Sequence, residues 1–303
     1  MMYNRLKCNI NKLIISIRKI VSLREKHKEF LQLVCNHGEG AIEYNDISNT
    51  LTNSIGRLGE IVINNPTKKN AISGKMMMDL SNILDDLLIN HSSTKPLACI
   101  IRNVGASSFC SGADLNLVRE VVNTPDRGYL MSLYMTDALN RLRQSDIITI
   151  TAINGKAIGG GAEMTTVSDF RIMSEDIESY ICFVHAKLGA APGFGGTARL
   201  FQILGRKNSL KLLGTSMKLN TKAALDIGFI DDVFPVDASN EMIISQSLKI
   251  LKPYLDQEFT ESVRAIKRTI ANCDDISTND INFEQEIFKS RWGNSDNKKA
   301  LRR

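Results

Sequence analysis

The chain has 303 residues, 43% apolar and 23% charged, with 20 Gly and one Trp. That composition suits a full hydrophobic core in one or two domains and excludes a disordered chain, a collagen-like repeat and a small disulfide-stapled scaffold. Residues 1–30 carry eight Lys and Arg against Glu25 and Glu29, a net of +6, so the other 273 residues sum to −1. A near-neutral body with a basic arm is not the footprint of a nucleic-acid-binding domain. No uncharged apolar run of about 18 residues occurs, so no membrane span is expected.

The arm, MMYNRLKCNINKLIISIRKIVSLR, has Ile and Leu at roughly helical spacing and no acid before Glu25. It reads either as an amphipathic organelle-targeting presequence or as a basic extension of the kind common at termini. Basic residues interrupt its apolar run too often for a secretory signal. The six cysteines, Cys8, Cys35, Cys99, Cys110, Cys182 and Cys273, form no CxxC pair and no metal-ligand spacing. Free thiols in a reducing compartment, and no metal site, are expected.

Taken in order, GEIVINN (59–65) reads as a strand ending in the turn Asn64-Asn65-Pro66. Residues 73–90 have helical periodicity behind Ser73 as N-cap. LACIIRNV (97–104) is a β-branched strand, and SSFCSGADL (107–115) a small-residue loop leading into a short helix. Residues 124–145 open on a Thr-Pro cap signal and run on as a long amphipathic helix. IITITAI (147–153) is the most strand-like run, and residues 154–170 are glycine-rich and then helical. Beyond about residue 197 the pattern is helical apart from DDVFPV. The expected class is α/β, with an α/β core over 50–205 and a helical region over 206–303.

Two strand-to-helix loops attract attention. The first is Phe109-Cys110-Ser111-Gly112-Ala113-Asp114-Leu115 and the second Gly159-Gly160-Gly161-Ala162-Glu163. Amides at a helix start lack partners, and glycines let a ligand approach the backbone. One N–H donor from each loop is able to hold an oxyanion. Neither loop is a GxGxxG fingerprint or a P-loop. Each alone also reads as a tight turn between packed elements; the pair is more specific.

SFCSGADL, INGKAIGGGAE and APGFGGTARL, in this order, resemble the crotonase family, that of enoyl-CoA hydratase and isomerase. NNPTKKNAISGKMM resembles its early CoA-contacting segment and DIGFIDDVF its late strand. The resemblance implies a crotonase-like spiral of ββα units and a helical C-terminal region that builds trimers or hexamers. It implies an acyl-CoA thioester as substrate, with the carbonyl oxygen between the amides of Ala113 and Gly160. Asn70, Ala71, Ser111, Gly112, Asp114, Leu115, Gly159 and Gly161 would then line the substrate.

Hydratases of the family use two glutamates. Glu163 matches the first, but His185, seven residues before Pro192, stands at the second. That departure puts hydration and isomerisation in doubt. FVHAKLGAAPGFGGTARL, GAEMTTVSDFRIM, LKLNTKAALDIG, TPDRGYLM and RWGNSDNKKAL resemble instead a decarboxylating branch of the family, over residues 24–303. The resemblance implies loss of CO2 from ethylmalonyl-CoA and, less well, methylmalonyl-CoA, with Glu163 and His185 as the catalytic pair and no cofactor. Within the family, hydratase or isomerase activity resting on Glu163 alone is the alternative. The resemblance favours the cytosol, whereas the arm allows a mitochondrial address.

Plainer readings stand beside these. Glu163 at a helix start also complements the dipole, and Asp114 also caps a helix. Met76, Met77, Met78 and Trp292 read as packing, although the resemblance allows the C-terminal region that holds Trp292 to lie near a bound CoA. His27, His37 and His91 fall in polar stretches and carry no signal.

Overall fold

The computed structural model describes residues 23–51, 54–90, 95–273 and 278–301. Most of the basic arm, Cys8 and His91 therefore lie outside the described residues. Helix α1 occupies residues 23–34, and its Phe30 and Val34 are fully buried. Strands β1 (Ala41–Asp46) and β2 (Leu58–Asn64) pair antiparallel. Helix α2 (Gly74–Asp85) starts where Ser73 Oγ accepts the Met76 amide at 3.2 Å. After β3 (Ala98–Asn103) comes α3 (Pro125–Arg143), capped by Thr124 with Pro125 at its first position.

Strand β4 (Ile148–Ile153), β5 (Ala157–Ile158) and α4 (Gly160–Thr165) then form one β-β-α unit. Strand β6 (Phe170–Ser174), β7 (Tyr180–Cys182) and α5 (Gly196–Thr215) form the next, followed by β8 (Leu219–Asn220), α6 (Thr221–Asp226) and β9 (Asp232–Phe234). The six-stranded sheet has the order β1-β2-β3-β4-β6-β9, parallel from β2 onward, and β5-β7-β8 make a second, smaller sheet. The expected spiral of ββα units is this alternation between two sheets.

The large sheet is covered on both faces, as a parallel sheet requires. Successive side chains point to opposite faces. Cys99, Ile101 and Ile153 accordingly join a core with Met77, Leu80, Met135 and Leu139 of α2 and α3. Ala98, Ile100, Ile148 and Ile150 join another with Ile243, Leu251 and Leu255 of α7 (Asn240–Leu255). Met76 and Met77 are packing residues, as their spacing suggests.

Two boundaries differ from expectation. The division at residue 205 falls inside α5, at a kink where Gly205 has φ 69°, and β9 returns to complete the main sheet beside β6. At the other end, β1 and α1 precede residue 50 and belong to the core. The edge strand AIEYND mixes exposed and buried positions too evenly to announce itself. Three further helices follow α7, namely α8 (Thr260–Cys273), α9 (Thr278–Arg291) and α10 (Ser295–Leu301). Helix α9 packs back against α3 rather than standing apart.

Candidate active site

The two glycine-bearing loops lie side by side at the carboxyl ends of the parallel strands. Cys110 and Ala157 form a parallel bridge, with the Ile158 amide donating to the Cys110 carbonyl at 2.9 Å. On the other edge, the Ile72 amide donates to Gly112 O at 2.8 Å, and the Asp114 amide to Ile72 O at 2.9 Å. Extended backbone alternates direction, so the Ala113 amide between those two faces away from Ile72. Among the described residues, neither the Ala113 nor the Gly160 amide finds an acceptor. Both residues line a cavity of about 100 Å³.

Glycine permits this approach. Gly112 has φ 95°, which disfavours a side chain, and a Cβ at Gly161 would be driven into the Cys110 carbonyl. Ser111, Gly112, Ala113, Leu115, Gly159, Gly160, Glu163 and His185 all line the cavity. Asn70, Ala71, Asp114 and Gly161 do not. Asn70 is a clamp: its Oδ1 accepts the Asn65 amide at 2.8 Å, and its Nδ2 donates to Val104 O and Ser108 O. Ala71 O accepts from Asn65 Nδ2 at 2.9 Å, and Asp114 Oδ1 caps the amides of Asn116 and Leu117. These polar groups are consumed by the scaffold, because a buried loop must satisfy its own backbone.

Glu163, on the first turn of α4, is 1% exposed. Its Oε1 accepts the amides of Phe194 at 2.8 Å and Gly196 at 3.0 Å. Its Oε2 lies 3.0 Å from Nε2 of His185 and accepts the Gly193 amide at 3.4 Å. Gly196 leaves room for this, since a Cβ there would overlap the Glu163 side chain. Burial pushes the carboxyl pKa up, but His185, the Phe194 amide and Arg199 together hold it below its usual value, so Glu163 is ionised at neutral pH.

Arg199 lies fully buried beneath this carboxylate. It donates to Thr166 Oγ1 at 2.9 Å, Asn140 Oδ1 at 3.1 Å, and the carbonyls of Phe194 at 2.6 Å and Glu163 at 3.3 Å. It thereby ties α4 to the 193–196 turn. Burial lowers its pKa to about 10 against the opposing pull of Glu284 and Glu163, which leaves it charged. His185 sits on a short 3-10 helix, Val184–Leu188, and is 8% exposed. Its second ring nitrogen, Nδ1, is buried and has no partner among the described residues.

The C-terminal helices close the cavity. Phe288 and Trp292 stack with centroids 4.9 Å apart, and Trp292 Nε1 donates to Val122 O at 2.6 Å. Asn297 Nδ2 donates to Leu188 O at 2.7 Å, and all three residues line the cavity. A wider cleft of about 560 Å³, with Arg119 and Lys298 on its walls, shares Val118, Trp292, Asn297 and Leu301 with it. Sequence reasoning missed Arg199, Phe288 and Asn297 as site residues, and read Trp292 as packing in a C-terminal region that the resemblance allows near a bound CoA. Arg199 lies within APGFGGTARL and Asn297 within RWGNSDNKKAL, but nothing in those letters reports burial beside Glu163.

Comparison with known proteins accords with this geometry. Residues 54–303 match the family model described as enoyl-CoA hydratase/isomerase. Ethylmalonyl-CoA decarboxylase of Xenopus laevis is 36% identical over 252 residues, which is 83% of this chain and 81% of that protein. The Homo sapiens protein of the same name is 34% identical over 248 residues, 80% and 77% of the two chains. An enoyl-CoA hydratase/isomerase from Mycobacterium paratuberculosis superposes with a TM-score of 0.71 at 16% identity, over 86% of this chain and 97% of that one. One from Xanthobacter autotrophicus Py2 also scores 0.71, at 19% identity, over 86% and 91%.

Proposed function

This chain belongs to the enoyl-CoA hydratase/isomerase family, and from that premise we propose that it decarboxylates ethylmalonyl-CoA and, less well, methylmalonyl-CoA. One observation carries the choice of reaction. The Glu163 carboxylate is occupied by three backbone amides and His185, so its acceptor sites are taken. His185, with a free ring nitrogen, is then the side chain at the cavity able to move a proton. Water addition by the family's route needs a second carboxylate over the substrate, and the described cavity residues include none besides Glu163.

The chemistry follows from the thioester. Its carbonyl oxygen rests on the amides of Ala113 and Gly160, with the acyl group in the small cavity and the CoA in the wider cleft. When the bond from the α-carbon to the carboxylate breaks, CO2 leaves and the electron pair passes into an enolate whose charge falls on that oxygen. One preorganised donor at such a site has been worth about 2.7–4 kcal/mol in a protease. The α4 dipole adds in the same sense. His185, as imidazolium, delivers a proton to the α-carbon, and ionised Glu163 orients and stabilises that cation. The thioester itself accepts the electrons, so this reading calls for no cofactor.

The test is a direct comparison of ethylmalonyl-CoA, methylmalonyl-CoA and crotonyl-CoA, with products followed by mass. Butyryl-CoA and propionyl-CoA without 3-hydroxybutyryl-CoA are expected. Hydration of crotonyl-CoA with no CO2 from either malonyl thioester would overturn the reading. The family also typically assembles as oligomers, and the exposed Phe259, Ile266 and Ile270 of the α8 region support a trimer or hexamer here, which light scattering would measure.

A further inference from the structure

His185 forms part of two walls. It lines the small cavity that holds Ala113 and Gly160, and also a second chamber of about 670 Å³ behind it. Ala190 is likewise common to both. The outer chamber is largely apolar and opens to solvent past Phe201, Leu210 and Ile287, which are 53%, 67% and 42% exposed. Glu284, on α9, is the one acid among its described lining residues.

Glu284 is held in place by the first turn of α5. Its Oε1 accepts the Thr197 amide at 3.4 Å and its Oε2 the Ala198 amide at 3.3 Å. Glu163 takes the amide of Gly196 immediately before them. The start of α5 therefore separates two carboxylates, Glu163 on the inner side and Glu284 on the outer. The charged groups acting on Glu284 are Glu163 from α4 and Arg199 within α5, and the titratable His185 on the 3-10 helix lines the same chamber. On its own helix Glu286 is exposed, and Lys289 pairs with Asp126 of α3. Arg143 of α3 acts on Arg199.

We propose that Glu284 returns to His185, across the outer chamber, the proton that each turnover consumes. The inference rests on the decarboxylase reading. In that reaction a carboxylate leaves as neutral CO2 and the α-carbon gains one proton, so His185 ends each cycle neutral. A bound acyl group fills the roughly 100 Å³ cavity and shuts solvent out from that side. The outer chamber is another cavity whose wall His185 forms, and it opens to solvent. The carboxylic acid of Glu284 gives its proton through chamber water to the imidazole, becomes carboxylate, and takes a proton back from solvent. Burial and the charge of Glu163 push Glu284 up to about 7, against Arg199 and the two amides, so a substantial fraction holds its proton at neutral pH.

The test uses the full chain with ethylmalonyl-CoA. In dilute buffer Glu284→Gln lowers steady-state kcat by about 100-fold, at the weak end for a lost proton transfer. The first turnover, read by rapid quench, keeps its wild-type rate, because the return of the proton follows it. Added imidazole or another small acid restores kcat of the variant and leaves wild type unchanged. Glu284→Asp retains most of the steady-state rate. Wild-type kcat in Glu284→Gln at every buffer concentration would overturn the proposal. So would a loss already present in the first turnover and deaf to buffer, which is what misfolding or a structural role produces. If the wild-type protein released no CO2, the decarboxylase reading itself would have failed.

Discussion

Nε2 of His185 lies 3.0 Å from Oε2 of Glu163, and the amides of Gly193, Phe194 and Gly196 close round the same carboxylate. The imidazole is thus oriented by an anion that is itself immobile. Such a unit holds a proton donor at fixed position, at the wall of a cavity carrying two unpaired amides.

Replacing either member should lower kcat far more than it changes CoA binding. For His185→Ala and Glu163→Gln we expect losses of about 100-fold or more, the usual scale for a general acid. The double variant should lose little beyond the worse single one, because the two act together. Glu163→Gln also places an NH2 group where both oxygens accept N–H bonds, so about 1–3 kcal/mol of stability should go with it. Steady-state kinetics, inhibition by a saturated acyl-CoA and urea unfolding would separate these effects.

The two oxyanion loops touch at Gly161. In Gly161→Ala the new methyl meets the Cys110 carbonyl, which is backbone and unable to rotate aside. The loops must part and misalign the amides of Ala113 and Gly160. A loss of about 10²–10³ in kcat is expected, the scale for one oxyanion donor. Gly160→Ala meets only the Phe194 ring, 2.6 Å from the added Cβ, and should be milder because that ring can shift. Equal kinetics in the two variants would argue against this placement of the donors.

Phe288 and Trp292 stop the cavity at its C-terminal side. Phe288→Ala removes a fully buried ring at a cost of about 3–5 kcal/mol and enlarges the space for an acyl branch. The ratio of kcat/KM for butylmalonyl-CoA over ethylmalonyl-CoA should rise by about tenfold or more, the scale set by adding room for methylenes. An unchanged ratio in a folded variant would place the acyl branch elsewhere.

Stability should depend on pH in two opposite ways. Glu163 is held below its ordinary value of 4.5, so its contribution is complete above that pH and lost as pH falls through the lower folded value. Glu284 is raised to about 7, so the fold prefers its neutral form; that contribution is complete below 4.5 and lost as pH rises through 7. Urea midpoints should therefore climb with pH in the acid range and decline towards neutrality. Glu284→Gln should remove the decline and keep the acid limb, and Glu163→Gln should remove the acid limb and weaken the decline, since the charge of Glu163 supplies part of the Glu284 shift.

Much of the scaffold is written in local pattern. Ser73 and Thr124 mark two helix starts because a side-chain oxygen before an apolar stripe satisfies the first free amides, and both caps are present. LACIIRNV and IITITAI read as strands because β-branched residues suit a sheet buried on both faces. Strand β6, FRIMS, shares only Phe170 with the stretch 154–170 that reads as glycine-rich and then helical, and the rest of it has no assignment from pattern. Its Arg171 looks like a surface residue in sequence but lies buried, donating to Phe229 O at 2.6 Å and Ser168 O at 2.6 Å.

By itself the sequence determined the α/β class and the two glycine loops, and its resemblance to a family showed His185 where a glutamate is expected. The class and the loops are properties of short segments, in which backbone freedom, capping and periodicity depend on near neighbours. Tertiary structure alone decided that Glu163 is saturated, that Arg199 lies beneath it, and that Phe288, Trp292 and Asn297 return to close the cavity. It also set Asn70 and Asp114 to scaffold duties and brought Glu284 to the far side of His185. Desolvation, charge coupling and cavity shape arise between residues from about twenty to 170 positions apart, and no local pattern reports which of them will meet.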